Sequence, residues 1–184
     1  MQFHATGLAG AWVIEIERHI DERGYFARSF CRREFAEHGL PGDFVQQSLS
    51  YNAQAGTLRG MHYQAPPHEE AKLVRCTRGA IYDVIVDLRP DQPSFLAWRG
   101  FTLSPDSGLS LFIPAGFAHG FQTLEDASEV AYQMDRFHRP GFEAGFRWDE
   151  AFFALPWPRP VSRMSERDRT WPDFAVETLT PRAG

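Results

Sequence analysis

Lysine and cysteine are scarce in this chain, and long apolar runs are missing. Its 184 residues hold two cysteines, Cys31 and Cys76, too few for a disulfide framework. No stretch approaches the roughly 18 apolar residues of a membrane span, and Met1–Gly10 lacks the basic and apolar regions of a secretory leader. These absences lead us to expect a reduced, cytoplasmic protein that meets no membrane. Lys and Arg number 19 against 24 Asp and Glu, a net charge of −5. The basic residues are scattered, so there is no basic stripe to displace counterions from a phosphate backbone, and nucleic acid is not an expected partner. All but one of the basic residues are arginines; the exception is Lys72. Guanidinium is planar and always charged, whereas an ammonium is a compact, rotatable point charge. A lone lysine is either a survivor of chance or the holder of a task that arginine cannot perform.

What is present describes a folded chain. The composition is 43% apolar and 23% charged, with 16 Phe, 5 Trp and 5 Tyr, and the length suits one domain over residues 1–184. Residues 80–88 (AIYDVIVDL) alternate, with Ile81, Asp83, Ile85 and Asp87 on one face and Tyr82, Val84, Val86 and Leu88 on the other. Further strands are expected at 11–16, 73–76, 97–103, 109–113, 119–124 and 128–134, between turn clusters such as Arg89-Pro90-Asp91. Many short strands imply a sandwich or barrel. One helix is expected, Arg32–His38, stopped by Gly39. From about residue 140 the prolines Pro156, Pro158, Pro160 and Pro172 read as a wrapping tail with helical scraps.

Residues 108–119 (GLSLFIPAGFAH) place Pro114 and Gly116 in a tight turn before His119. This resembles the second motif of cupins, small jelly-roll barrels, and Gly56-Thr-Leu-Arg59-Gly60-Met-His62-Tyr-Gln64, followed by Glu69 and Glu70, resembles the first. A metal cupin needs histidines two residues apart, a carboxylate and the later histidine. Gln64 stands in place of the second histidine, so neither metal nor other cofactor is expected, and His62 is free to act as a base. Arg59 and His62 have opposite parity in an ideal strand; sharing a site requires a bulge, which Gly60 permits.

Over residues 11–174 the chain resembles the dTDP-4-dehydrorhamnose 3,5-epimerase family, a cupin branch acting on nucleotide sugars. The resemblance is carried by Asp21–Phe26, Phe44–Gln46, Leu58–Gln64, Lys72–Arg75, Asp83–Arg89, Gly116–Phe121, Tyr132, Arg147–Asp149 and Ser165–Asp168. It implies a nucleoside diphosphate 4-keto-6-deoxyhexose as substrate. It also implies His62 as the base, oriented by Asp168, with Lys72 facing the enolate oxygen and Tyr132 returning the proton from the opposite face of the ring. Arg23 and Arg59 would clamp the diphosphate, and Phe26, Gln46, His119 and His138 would complete the substrate site. The family exchanges N-terminal strands between subunits, which implies a homodimer. Three departures concern the nucleotide: Ala27-Arg28-Ser29 where an acidic residue is usual, Gln47-Ser48 in place of Asp-Asn, and His138 at an aromatic position. Inversion at carbon 3 alone on a differently based nucleotide therefore stays open. So do a ketoisomerase on the same scaffold, which Tyr132 and Asp168 argue against, a metal cupin oxygenase, which Gln64 argues against, and a non-catalytic sugar binder, which would show a damaged catalytic set.

Overall fold

The computed structural model describes residues 1–176; the end of the expected tail, 177–184, lies outside the described residues. Thirteen strands and two short helices are described: β1 Gln2–Ala5, β2 Trp12–Glu15, β3 His19–Asp21, β4 Gly24–Phe26, α1 Arg32–Glu37, β5 Gln46–Asn52, β6 Leu58–Gln64, β7 Lys72–Arg78, β8 Ile81–Asp87, β9 Trp98–Leu103, β10 Leu109–Ile113, β11 Phe117–Thr123, β12 Ser128–Met134, β13 Glu143–Gly145 and α2 Glu166–Arg169. They form a six-stranded sheet, β1-β2-β10-β7-β12-β5, and a five-stranded sheet, β13-β6-β11-β8-β9, with β3-β4 as a separate hairpin. Val74, Cys76, Leu111, Ile113 and Val130 of the first sheet pack with Ile81, Ile85, Leu103, Phe117 and Phe121 of the second. This is the expected jelly roll, built as two facing sheets that are not closed into a barrel.

Both outer faces are also covered. On the six-stranded sheet, Phe35 and Leu40 of the α1 segment pack over Ile14, Leu73 and Phe112. The helix ends as its sequence implies, with Gly39 at φ +69. On the five-stranded sheet, Phe146, Phe153 and Leu155 of the tail pack over Met61, Val84, Val86 and Ala118, joined by Trp157 and Phe174. Each fully buried large side chain is worth about 1.5–3 kcal/mol, so the tail is a second core and more than helical scraps. It contributes a strand, β13, to the sheet through Glu143↔Gln64 and Gly145↔His62, and then α2.

Alternation located β2, β7, β8, β9, β10, β11 and β12, but not β5 or β6. In β5 the polarity is inverted. Asn52 is buried and pairs with the buried Ser128 across the ladder to β12, and Gln46 and Ser50 on the same face are half-buried, while Leu49 and Tyr51 are exposed. β6 carries an irregularity. His119↔His62 is followed by Phe121↔Arg59, three steps on β6 against two on β11. That extra residue puts Arg59 and His62 on one face. Gly60 sits there at φ +144, and a Cβ on it would lie 2.6 Å from Gly120 Cα. Gly60→Ala is therefore expected to lower stability by about 2 kcal/mol or more in chemical denaturation; a melt matching the wild type would mean that the bulge tolerates a side chain.

Candidate active site

The inward end of β6, the start of β7, β13 and the α2 segment enclose a cavity of about 300 Å³, lined by Arg59, His62, Tyr63, Gln64, Glu70, Lys72, His138, Glu143, Ala144, Ser165, Arg167, Asp168 and Trp171. His62 and Asp168 are 106 residues apart in sequence, yet Nε2 and Oδ1 are 2.6 Å apart. Asp168 is held from below: Ser165 caps α2 by accepting the Asp168 N–H at 3.1 Å. Burial alone would push this carboxyl up, but hydrogen bonds from His62, the Gly60 N–H and Ser165 together hold it below the ordinary carboxylate range. An ionised Asp168 accepts Nε2–H from His62 and leaves Nδ1 with its lone pair, the form a general base needs. The Trp171 ring stands 6.2 Å from the imidazole, and Arg167 lies over Trp171 at 4.9 Å.

Lys72 lies on the opposite sheet, its Nζ 3.1 Å from Glu70 Oε1, with both side chains largely buried. Gln64 Nε2 donates to the same carboxylate at 3.1 Å and to the His68 carbonyl, and its Oε1 accepts the Arg139 N–H. The residue standing where a metal cupin has its second histidine is thus spent on protein partners. His119 is likewise engaged, at 2.8 Å from Asp83. Among the described residues no group of three His, Cys, Asp or Glu side chains is arranged to hold a metal ion.

Of the residues singled out in the sequence, His62, Asp168, Lys72, Arg59 and His138 line the cavity. Arg59 Nε donates to Asn52 Oδ1 at 2.7 Å, and His138 pairs with Glu143 at 3.0 Å. Gln46 meets the site through His138, whose backbone N–H its side chain accepts. Tyr132 and His119 are not among the lining residues; their rings stand edge-on to each other at 6.1 Å between centroids. Burial first, then the Asp83 charge, pushes the Tyr132 phenol up, so it stays protonated. Arg23 and Phe26 are not brought to this cavity. They stand on the exposed β3-β4 hairpin, Arg23 paired with Asp21 and Phe26 73% exposed. Glu143, Arg167, Trp171 and Ser165 line the cavity without having been singled out. They come from the tail, where no alternation marks which side chains turn inward.

A family model described as dTDP-4-dehydrorhamnose 3,5-epimerase matches residues 5–176. The chain belongs to the dTDP-4-dehydrorhamnose 3,5-epimerase family. The Escherichia coli dTDP-4-dehydrorhamnose 3,5-epimerase is 43% identical over 156 residues, covering 84% of this chain and 83% of that protein. The solved Bacillus anthracis epimerase, with TDP and PPi bound, superposes with a TM-score of 0.89 at 39% identity, covering 94% of this chain and 99% of that one. A Streptomyces niveus relative described as a dTDP-4-dehydrorhamnose 3-epimerase is 33% identical, covering 92% of this chain and 82% of that protein. Members of this family are isomerases, and no helix among the described residues is long and apolar enough to cross a membrane.

The sign of the Asp168 shift yields a test. Because its carboxyl is held below the ordinary value in the folded state, its stabilising contribution is complete above the ordinary value and is lost as pH falls through the lowered one. In urea melts, the stability difference between wild type and Asp168→Asn should stay level from pH 8 to about pH 5 and shrink below about pH 4. A difference that is constant to pH 3 would mean that the carboxylate form is not what holds His62.

Proposed function

We propose that the protein is a metal- and cofactor-free epimerase, working as one domain in the cytoplasm. It inverts carbons 3 and 5 of a dTDP-4-keto-6-deoxyhexose in deoxysugar biosynthesis. The observation that carries this reading is the His62–Asp168 pair at 2.6 Å facing a cavity that also holds Lys72, in a chain of this family. The carbonyl at carbon 4 acidifies its neighbours at carbons 3 and 5. His62 Nδ1 removes one of these protons, and the imidazolium formed is stabilised by Asp168. Charge moves onto the carbonyl oxygen, where the Lys72 ammonium, steadied by Glu70, receives it. Tyr132 returns a proton to the opposite face of the ring, and delivery from that side inverts the centre. Arg59, fixed by Asn52, binds the diphosphate, and Gln46, His119 and His138 complete the substrate site.

Solvent exchange in heavy water, followed by NMR on dTDP-4-keto-6-deoxyglucose, tests the reading. Deuterium should enter carbons 3 and 5, chelators should leave the rate unchanged, and His62→Asn should lose about 10²–10⁴-fold. Entry at carbon 3 alone would place the chain with the 3-epimerases. Activity removed by chelation and restored by one divalent ion would replace the epimerase reading with a metal cupin.

The same reading makes the active form a homodimer. In this chain β1 pairs with β2, and β2 with β10 of the same chain, so the exchanged element is the β3-β4 hairpin. It carries Arg23 and Phe26 away from their own cavity and into the partner's, where Arg23 joins the diphosphate clamp. Edge strands and exposed apolar faces of this kind are satisfied by symmetric pairing. Co-expression of Arg23→Ala with His62→Asn should restore roughly a quarter of wild-type activity, since half the dimers are mixed and each of these has one intact site. No recovery would return Arg23 to its own subunit.

A further inference from the structure

One buried carboxylate has no structural partner that accounts for its place. Asp83 and Asp87 share a face of β8, and both are fully buried. Asp87 is satisfied, since Arg89 donates to both of its oxygens and Ser94 Oγ donates as well. Asp83 is not. Its Oδ2 accepts from His119 Nε2 at 2.8 Å, while its Oδ1 is buried without a partner. Burial pushes this carboxyl up, against the opposing pull of His119 and Lys72. A bare buried carboxylate oxygen is costly to a fold, and packing alone would favour an apolar side chain in its place.

His119, the one side chain that Asp83 holds, stands between two others. It is the cross-strand partner of His62, and its ring meets that of Tyr132 edge-on at 6.1 Å. Each inversion by the route above leaves His62 with an extra proton and Tyr132 as a phenolate. Burial and the Asp83 charge oppose a phenolate there. When two centres of one sugar are inverted, the pair has to be reset while the sugar still fills the cavity.

We propose that His119 and Asp83 form the relay that resets the site, an inference that rests on His62 removing and Tyr132 returning the proton. The His62 imidazolium passes its extra proton to His119, directly or across one water, and His119 passes one to the Tyr132 oxygen. An N–H bond at His62 breaks, an O–H bond at Tyr132 forms, and no proton enters or leaves the site. Asp83 is a positioning residue: by accepting Nε2–H it orients the ring and stabilises the transient imidazolium. The other charged or titratable side chains around this pair are Lys72 and Cys76 on β7, Tyr132 on β12, and Arg59 and His62 on β6.

The test is a rapid-quench and NMR time course on dTDP-4-keto-6-deoxyglucose with the wild type, Asp83→Asn and His119→Asn. In Asp83→Asn the first inversion should keep its rate within about 3-fold while the second slows by about 100-fold, the lower end of what a positioned proton-transfer group contributes; in His119→Asn the second inversion should slow by at least as much relative to the first. The singly inverted sugar then accumulates, and in Asp83→Asn KM stays within about 3-fold because Asp83 is not among the groups that bind the sugar. For an enzyme that inverts carbon 3 alone, the same defect appears as a burst of one product per site followed by slow turnover. Equal slowing of both inversions, no slowing, or both variants melting below the assay temperature would overturn the relay. A wild-type enzyme that puts no deuterium into carbon 3 would overturn the epimerase reading instead, so the two failures are distinguishable.

Discussion

The hydrogen bond between His62 and Asp168 spans 106 residues, and nothing local can make it. A four-residue helix has no stability of its own, because its nucleation cost is not recovered over so few bonds. What holds α2 at the cavity is the docking of the tail on the outer face of the five-stranded sheet, where Phe146, Phe153 and Leu155 are buried against Met61, Val84 and Val86. The pairing of β13 with β6 and the Thr57↔Arg163 bridge fix the path between these anchors. Orientation of the His62 ring therefore depends on apolar packing on the far side of the sheet that carries it. The bulge at Gly60 is the counterpart on β6, since it turns His62 to the face where Asp168 arrives.

A jelly roll can be filled with apolar side chains throughout, and one end of this one is. The other end holds Lys72, Glu70, His119, Asp83 and Tyr132 between the same two sheets, at intermediate or full burial. Charges in such a place are tolerated when paired, and most of these are. The six-stranded sheet accommodates them by inverting the polarity of β5, which turns its polar side chains toward Tyr132 and leaves Leu49 and Tyr51 in solvent. Those outward apolar residues are the cost of a polar interior.

Relative to a metal-binding cupin, the scaffold has kept positions and changed their chemistry. His62 and His119 remain cross-strand neighbours, as two ligands would be, but each has its own carboxylate, Asp168 and Asp83. Gln64 is tied to Glu70 and to the backbone. An imidazole whose partner is a carboxylate keeps a usable lone pair and can carry a proton.

Much of the architecture was legible because it rests on short-range physics. Alternation marks strands whose two faces see different environments, and it located β8 and most of its neighbours. The parity conflict between Arg59 and His62 implies the bulge that β6 carries at Gly60. The lone lysine, Lys72, and His62 of the first motif pointed to the cavity that they line. Alternation was silent on β5, where polarity is reversed, and on β13, which is three residues long. Motif resemblance named Arg23 and Phe26 as site residues, and in the fold they stand away from the cavity. Asp83 was visible as an acid on the apolar face of a strand, yet its meaning depends on His119 and Tyr132, which arrive from other strands. What the chain by itself determined is which segments become strands and which side chains can move a proton. Distance decided the rest: pairing of groups remote in sequence is set by which apolar faces bury one another, and no local pattern encodes that choice.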